Sequence, residues 1–387
     1  MSQPFFSIVI PTKNRPKLLR DAILSVLLQN FDDYELTISD NFNDERTKNV
    51  ISEFRDNPHI NYIRTESELN MPDHWEFATK KTRGVYVLIL ADRSFLRQGA
   101  LRDIHDTILK SKKDIKVCFW AYGYYDEKNK VLLGEREQRG AKFFQSVDLA
   151  RSFSRTLNDR FLPRPHVGCY RFDVIRKIKQ DVGRLYLPFG PDYTSSFLVL
   201  AYSDIVMYIP RSLFFCQGAV LSVGTASQLN PQSYFDSLNA TDPYRFVPVK
   251  APIISSLLLN DFLKIKNLAG GNLKNINIDW VFYFGACYQE LIEKKMIIPG
   301  VDQKVLPELF EEWRKALTLT DKKTQAAVRR EIRRRYIRIS KSYLKECFLG
   351  DFFVRVKRFL LRKPTIVFES ALAAGGFKDS AESKSKF

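Results

Sequence analysis

Ser7–Gln29 reads SIVIPTKNRPKLLRDAILSVLLQ, two elements joined by a short turn. Ser7–Pro11 is a β-branched run closed by a proline, the pattern of a buried strand. Thr12-Lys13-Asn14-Arg15-Pro16 is polar and reads as a turn. From Lys17 to Gln29 the residues Leu18, Leu19, Ala22, Ile23, Val26 and Leu27 fall on one helical face. A strand feeding a helix through so short a turn begins a right-handed crossover, so the sheet it opens is expected to be parallel.

The alternation continues outward. Tyr34–Ser39 (YELTIS) is a second strand closed by Asp40-Asn41, Glu45–Phe54 a helix and Ile60–Arg64 a third strand. His74–Lys81 is helical, and Val85–Leu90 (VYVLIL) is the fourth and most apolar strand. Arg97–Leu109 reads as a helix and Lys116–Tyr125 as an aromatic-rich strand, whereas Asp126–Asn158 shows no clear period. Val167–Phe172 (strand), Val174–Lys179 (helix) and the segment after Pro191 restore order. Beyond Pro252 the pattern is helical, over Ile253–Leu263, Trp280–Lys294, Leu306–Leu317 and Lys322–Leu349. The expected architecture is α/β, a doubly wound and mostly parallel sheet over residues 1–225, then a basic helical region over 250–365. The stretch 373–387, rich in Gly, Ser, Ala and Lys, is expected to be a disordered tail.

With 45% hydrophobic residues and 30 phenylalanines, 387 residues can build a large core, which excludes global disorder. Five cysteines far apart, without CxxC spacing, argue against a disulfide framework or a zinc site. The most apolar window, Ser195–Pro210, is broken by Asp204, and the N-terminus lacks a signal-type run. The expected location is cytoplasmic, soluble or peripheral on the inner face of a membrane. A net charge of +17 calls for an anionic partner. Since no motif with stacking aromatics stands out, nucleic acid is not the expected one.

In a parallel sheet the turns after successive strands open on one edge, and there the candidate chemistry gathers. Strand one ends in Pro11-Thr12-Lys13-Asn14-Arg15, strand two in Asp40-Asn41 and strand four in Ala91-Asp92-Arg93-Ser94. Asp and Asn suit a base or ribose, while Lys13, Arg15 and Arg93 suit phosphate oxygens. Any one of these turns is also explained by helix capping; three at consecutive strand ends point to a ligand site.

These pieces resemble family 2 glycosyltransferases. The family opens with a strand, Pro-Thr-x-Asn-Arg, and a helix ending in Ser-x-x-x-Gln. Its second strand ends Asp-Asp-Gly-Ser or Asp-Asn-x-Ser, like YELTISDNFND. Its third piece matches NMPDHWEFATKKTRGVYVLILADRSFLRQGAL, with an Asn-Trp helix, a Gly before the strand and Leu-x-x-Gly-Ala-Leu after an acidic turn. The resemblance implies a GT-A-like fold and a nucleotide-sugar donor. Pro11, Thr12, Asn14, Arg15, Asp40, Asn41, Asp92 and Arg93 would then bind that donor, with uridine as the base. Relatives carry several aspartates at the acidic turn, binding a divalent ion such as Mn or Mg. Here Asp92 is the single candidate metal ligand, and Arg93 beside it favours metal independence. Either Arg93, with Lys13 or Arg15, stabilises the leaving diphosphate directly, or the site no longer transfers sugar. The general base of an inverting transfer is expected at Asp192, in LPFGPDYTSS, which could instead be a helix cap. His166 and Arg171 flank the preceding strand, on the acceptor side or in purely structural positions.

Between Lys322 and Lys363 fifteen Lys and Arg face only Glu331, Glu346 and Asp351. Asp351–Lys363 (DFFVRVKRFLLRK) has the composition of an interfacial helix on an anionic membrane, or of a helix packed on the protein itself. The expected function is an inverting glycosyltransferase with a cell-surface glycan or lipid-linked acceptor. The alternative is a non-catalytic scaffold or nucleotide-binding protein of the same fold, and the helical region offers a surface for a homo-oligomer.

Overall fold

The computed structural model describes residues 3–42, 45–188, 190–217, 235–238, 242–297, 305–345, 368 and 370–377. Strands β1 (Phe6–Thr12), β2 (Tyr34–Asp40), β3 (Ile60–Arg64) and β4 (Tyr86–Ile89) pair in parallel, in the order β3-β2-β1-β4. Helices α1 (Pro16–Leu27), α2 (Glu45–Ser52) and α3 (Met71–Thr79) make the crossovers. Alternation along the strands feeds two cores. Phe6, Ile8 and Ile10 of β1 enter one, and Val9 enters the other. Both faces of the sheet are therefore covered, which is why these strands read as continuous apolar runs.

Past β4 the sheet is mixed. It is completed by β5 (Ser94–Leu96), β6 (Val117–Asp126), β7 (Val131–Leu133), β8 (Lys142–Gln145), β9 (Gly168–Arg171) and β10 (Ile205–Cys216). The order continues β4-β9-β6-β10-β5, with β9 antiparallel to β4 and β6, and β10 parallel to β6. β4, β6 and β10 thus run in the same direction as β1 and β2. The interposed helices are α4 (Ala100–Lys110), α5 (Ser146–Thr156), α6 (Phe172–Val182) and α7 (Pro191–Tyr202). The apolar window around Ser195–Pro210 is two elements, α7 and β10, parted at Ser203-Asp204. The stretch without a clear period holds β7, β8 and α5.

The helical region consists of α8 (Ile254–Ala269), α9 (Trp280–Ile297), α10 (Leu306–Thr318) and α11 (Lys322–Lys345). Its Leu259, Phe262, Tyr283, Phe284 and Val328 share one core with Val9, Ile89, Phe119 and Phe197. The helices are thus a layer on one face of the sheet, and among the described residues they have no core to themselves. Arg335 pins α11 inward: it pairs with Glu331 at 2.9 Å, donates to Gln289 Oε1 at 2.8 Å and lies 4.2 Å from the Phe282 ring centre.

A disordered tail from Ala373 is corrected as far as Phe377. Helix α12 (Ala371–Ala374) is capped by Ser370, and Leu372 and Phe377 are buried in the core beneath α1 and α4. Gln98 N–H donates to Gly375 O at 2.8 Å. Apolar side chains hold this short segment although its composition is that of a linker. Residues 378–387, the interfacial-helix candidate Asp351–Lys363 and Cys347 lie outside the described residues, as does most of the expected domain junction. The four described cysteines are buried and free. Among the described residues no helix is long and apolar enough to cross a membrane.

Candidate active site

The strand ends meet as the crossovers require, and the turn Ala91–Ser94 separates two clusters. On the β1 side Asp92, 4% exposed, is held between two donors. Thr12 Oγ1 donates to its Oδ2 at 2.9 Å and the Arg15 guanidinium to its Oδ1 at 3.0 Å. Burial pushes the Asp92 carboxyl upward, against Arg15, Thr12 and the Lys13 amide. Both oxygens are thus engaged within the fold. Among the described residues no three His, Cys, Asp or Glu group as metal ligands. A single, already bonded carboxylate beside Arg93 is a poor donor set for a hard divalent ion, so Asp92 does not fit the role of metal ligand.

The β2 end is equally committed. Asp40 is fully buried; Tyr62 donates to its Oδ2 at 2.9 Å and Arg64 lies 3.8 Å from the same oxygen. Burial and the Asp40 charge push the Tyr62 phenol up to about 12. Asn41 makes a reciprocal pair with the main chain of Leu69. Its Nδ2 donates to Leu69 O at 2.7 Å and its Oδ1 accepts from Leu69 N–H at 2.8 Å. The amide expected to read a base instead ties down the loop after β3. Pro11 is half-buried, while Lys13 and Asn14 are exposed; Lys13 pairs with Glu68 at 2.6 Å. Asn14 sits at φ 59°, a left-handed conformation that Asn tolerates better than most residues.

On the other side of the turn Arg93 faces the ends of β9 and β10. Its guanidinium donates to Gln217 O at 3.2 Å, and Gln217 N–H donates back to Arg93 O at 2.9 Å. Burial, then the charges of Arg164 and Arg93, push the His166 imidazole well below its usual range. Arg171 does not join the site, because it pairs with Asp114 and Asp173.

Asp192 stands in the first turn of α7, whose capping position, Gly190, offers no side chain. Its carboxyl is pushed up by burial and pulled down by Arg164. Arg164 was not singled out from the sequence. It donates to Tyr122 Oη at 2.9 Å and Tyr193 Oη at 3.3 Å, and both rings lie 5.6 Å from its guanidinium carbon. Asp159 pairs with it at 3.4 Å and accepts from Tyr193 Oη at 2.8 Å. The available signal was Arg164-Pro165-His166 directly before a short strand, which carries no recognisable motif. Arg164 thus faces both Asp192 and His166, and Arg93 faces His166.

A mostly parallel α/β sheet with polar residues at its strand ends defines the class of GT-A-like folds. Residues 7–177 match the family model described as glycosyl transferase family 2. A curated relative from Campylobacter jejuni, GalNAc(5)-diNAcBac-PP-undecaprenol beta-1,3-glucosyltransferase, is 32% identical over 100 residues. Those residues are 25% of this chain and 32% of the relative, so the match spans about a third of that relative's length. Among solved structures, S. aureus TarS 1-349 in complex with UDP-GlcNAc superposes with a TM-score of 0.53 at 13% identity, covering 87% of this chain and 91% of that one. A further TarS structure gives 0.51 at 12% identity, over 83% and 50%. At such identity the likeness is one of fold.

Proposed function

We propose that the protein is an inverting glycosyltransferase that moves a sugar from a nucleotide-sugar donor, UDP-linked, to a glycan or lipid-linked acceptor. The observation that supports this reading is Asp192 in the first turn of α7 with Arg164 as its counter-charge, while Arg93 and Arg164 both face His166. In the step proposed, an acceptor hydroxyl oxygen attacks the anomeric carbon while its proton passes to Asp192. The bond from that carbon to the diphosphate breaks, and its electron pair leaves with the nucleoside diphosphate. Arg93 meets the charge developing there, so no step is routed through a metal. Burial raises the Asp192 carboxyl, toward a better proton acceptor, and the Arg164 charge opposes that rise in favour of the ionised form. The lipid-linked acceptor is suggested by the name of the Campylobacter relative, and such an acceptor places the enzyme at a membrane surface.

One observation favours the non-catalytic alternative: Asp40, Asn41 and Asp92 spend their side chains inside the fold. Titration calorimetry with UDP and a panel of UDP-sugars, with and without manganese, separates the two. Metal-independent binding that Arg93→Ala abolishes is expected of the transferase. Asp192→Asn should keep that binding while turnover drops by about two to four orders of magnitude. No binding in either condition would leave the non-catalytic reading standing.

A further inference from the structure

Asp261 lies on α8, in the helical layer, yet it reaches the turn that presents Asp192. It is 2% exposed. Its Oδ2 accepts the Gly190 N–H at 3.2 Å, and its Oδ1 is buried with no hydrogen-bond partner among the described residues. Gly190 is the capping residue of α7, and its carbonyl takes the first helical bonds, from Tyr193 and Thr194 at 2.9 and 2.8 Å. A side chain at position 190 would bring a Cβ to 2.9 Å from Asp261 Oδ2. The contact therefore favours glycine at 190 and needs an acceptor oxygen at 261.

The other end of this turn is held by α3. Glu76 Oε1 accepts the Leu185 and Tyr186 amides at 2.6 and 2.7 Å, and Arg184 pairs with Asp73 at 2.7 Å. The charged groups facing Asp261 are Asp192 on α7 and Lys264 on its own helix, and Lys264 in turn faces Arg184. An anionic Asp261 would repel Asp192. A buried acid that keeps its proton accepts from Gly190 and adds no charge.

We infer that Asp261 is a positioning residue, contributed by the helical layer, which holds the start of α7 through the Gly190 amide so that Asp192 faces the acceptor hydroxyl. The inference rests on the reading of Asp192 as base. It is tested by UDP release from UDP-GlcNAc hydrolysis, UDP calorimetry and hydrogen exchange of the peptide spanning Gly190.

Asp261→Asn, isosteric with the neutral acid, should keep kcat within about threefold, leave the acid limb of its pH profile in place and keep Gly190 protected. Asp261→Ala should lower kcat about 10- to 100-fold with UDP affinity unchanged and Gly190 exchanging faster. If Asp261→Ala does not fold, Gly190→Ala gives the same split, and Asp261→Ser in that background should restore part of kcat. Wild-type kcat and Gly190 protection in Asp261→Ala, or in Gly190→Ala, would overturn the inference. So would Asp261→Asn losing activity with a shifted acid limb, which would mean that the charge matters. Normal turnover in Asp192→Asn would sink the base assignment instead, a separate result.

Discussion

His74 lies behind the strand end that carries Asp40, with its Nε2 3.0 Å from Ser39 Oγ, and burial pushes its pKa down to about 4. Below about 6.5 the unfolded chain binds a proton that the folded histidine refuses. This contribution to stability is therefore full above 6.5 and is lost as pH falls toward 4. The melting temperature should drop through that window, and His74→Gln should flatten the drop; an unchanged slope would show that other groups carry it. At this scale the sequence was half legible. Thr12, Asp40, Asn41 and Asp92 stand at strand ends, which periodicity locates. Their partners Tyr62, Leu69 and Arg15 come from the loops and strands that tertiary packing brings alongside, which periodicity does not reveal.

Among the elements, β1 and β4 depend on a close approach at Gly84. Its N–H donates to Ser7 Oγ at 2.7 Å, and an added Cβ would meet Ser7 N at 2.5 Å and Phe6 C at 2.7 Å. Gly84→Ala should therefore destabilise the fold by about 3 kcal/mol, through backbone displacement, as chemical denaturation would measure. A cost under about 0.5 kcal/mol would mean that the strands part easily here. The first four strands were legible because each is a β-branched run bounded by turn residues. β5, β7 and β8 were not, since three or four residues set no period. β10 was masked by the apolar α7 before it, with only Ser203-Asp204 between them.

For the whole molecule, the charge bias is legible and its placement is structural. Glu331 and Arg335 face inward, which leaves Lys322, Lys323, Arg329, Arg330 and Arg333 exposed along α11, with Ile337 53% exposed beside them. Each basic residue near an anionic lipid surface is worth about 1 kcal/mol. Arg329→Glu, Arg330→Glu and Arg333→Glu together should weaken sedimentation with phosphatidylglycerol vesicles on the order of 100-fold, sparing UDP binding. Equal sedimentation of the triple variant would exclude this face from membrane contact. The layering also has a consequence in time. One core includes Val328, and the other includes Leu372 and Phe377. Neither can close while those residues are still within the ribosome. At about 5–20 residues per second, a sheet whose last strand ends at Cys216 waits on the order of ten seconds with apolar surface uncovered. Over that interval the nascent chain is a client for chaperones, and slower translation of the helical layer would lengthen its exposure.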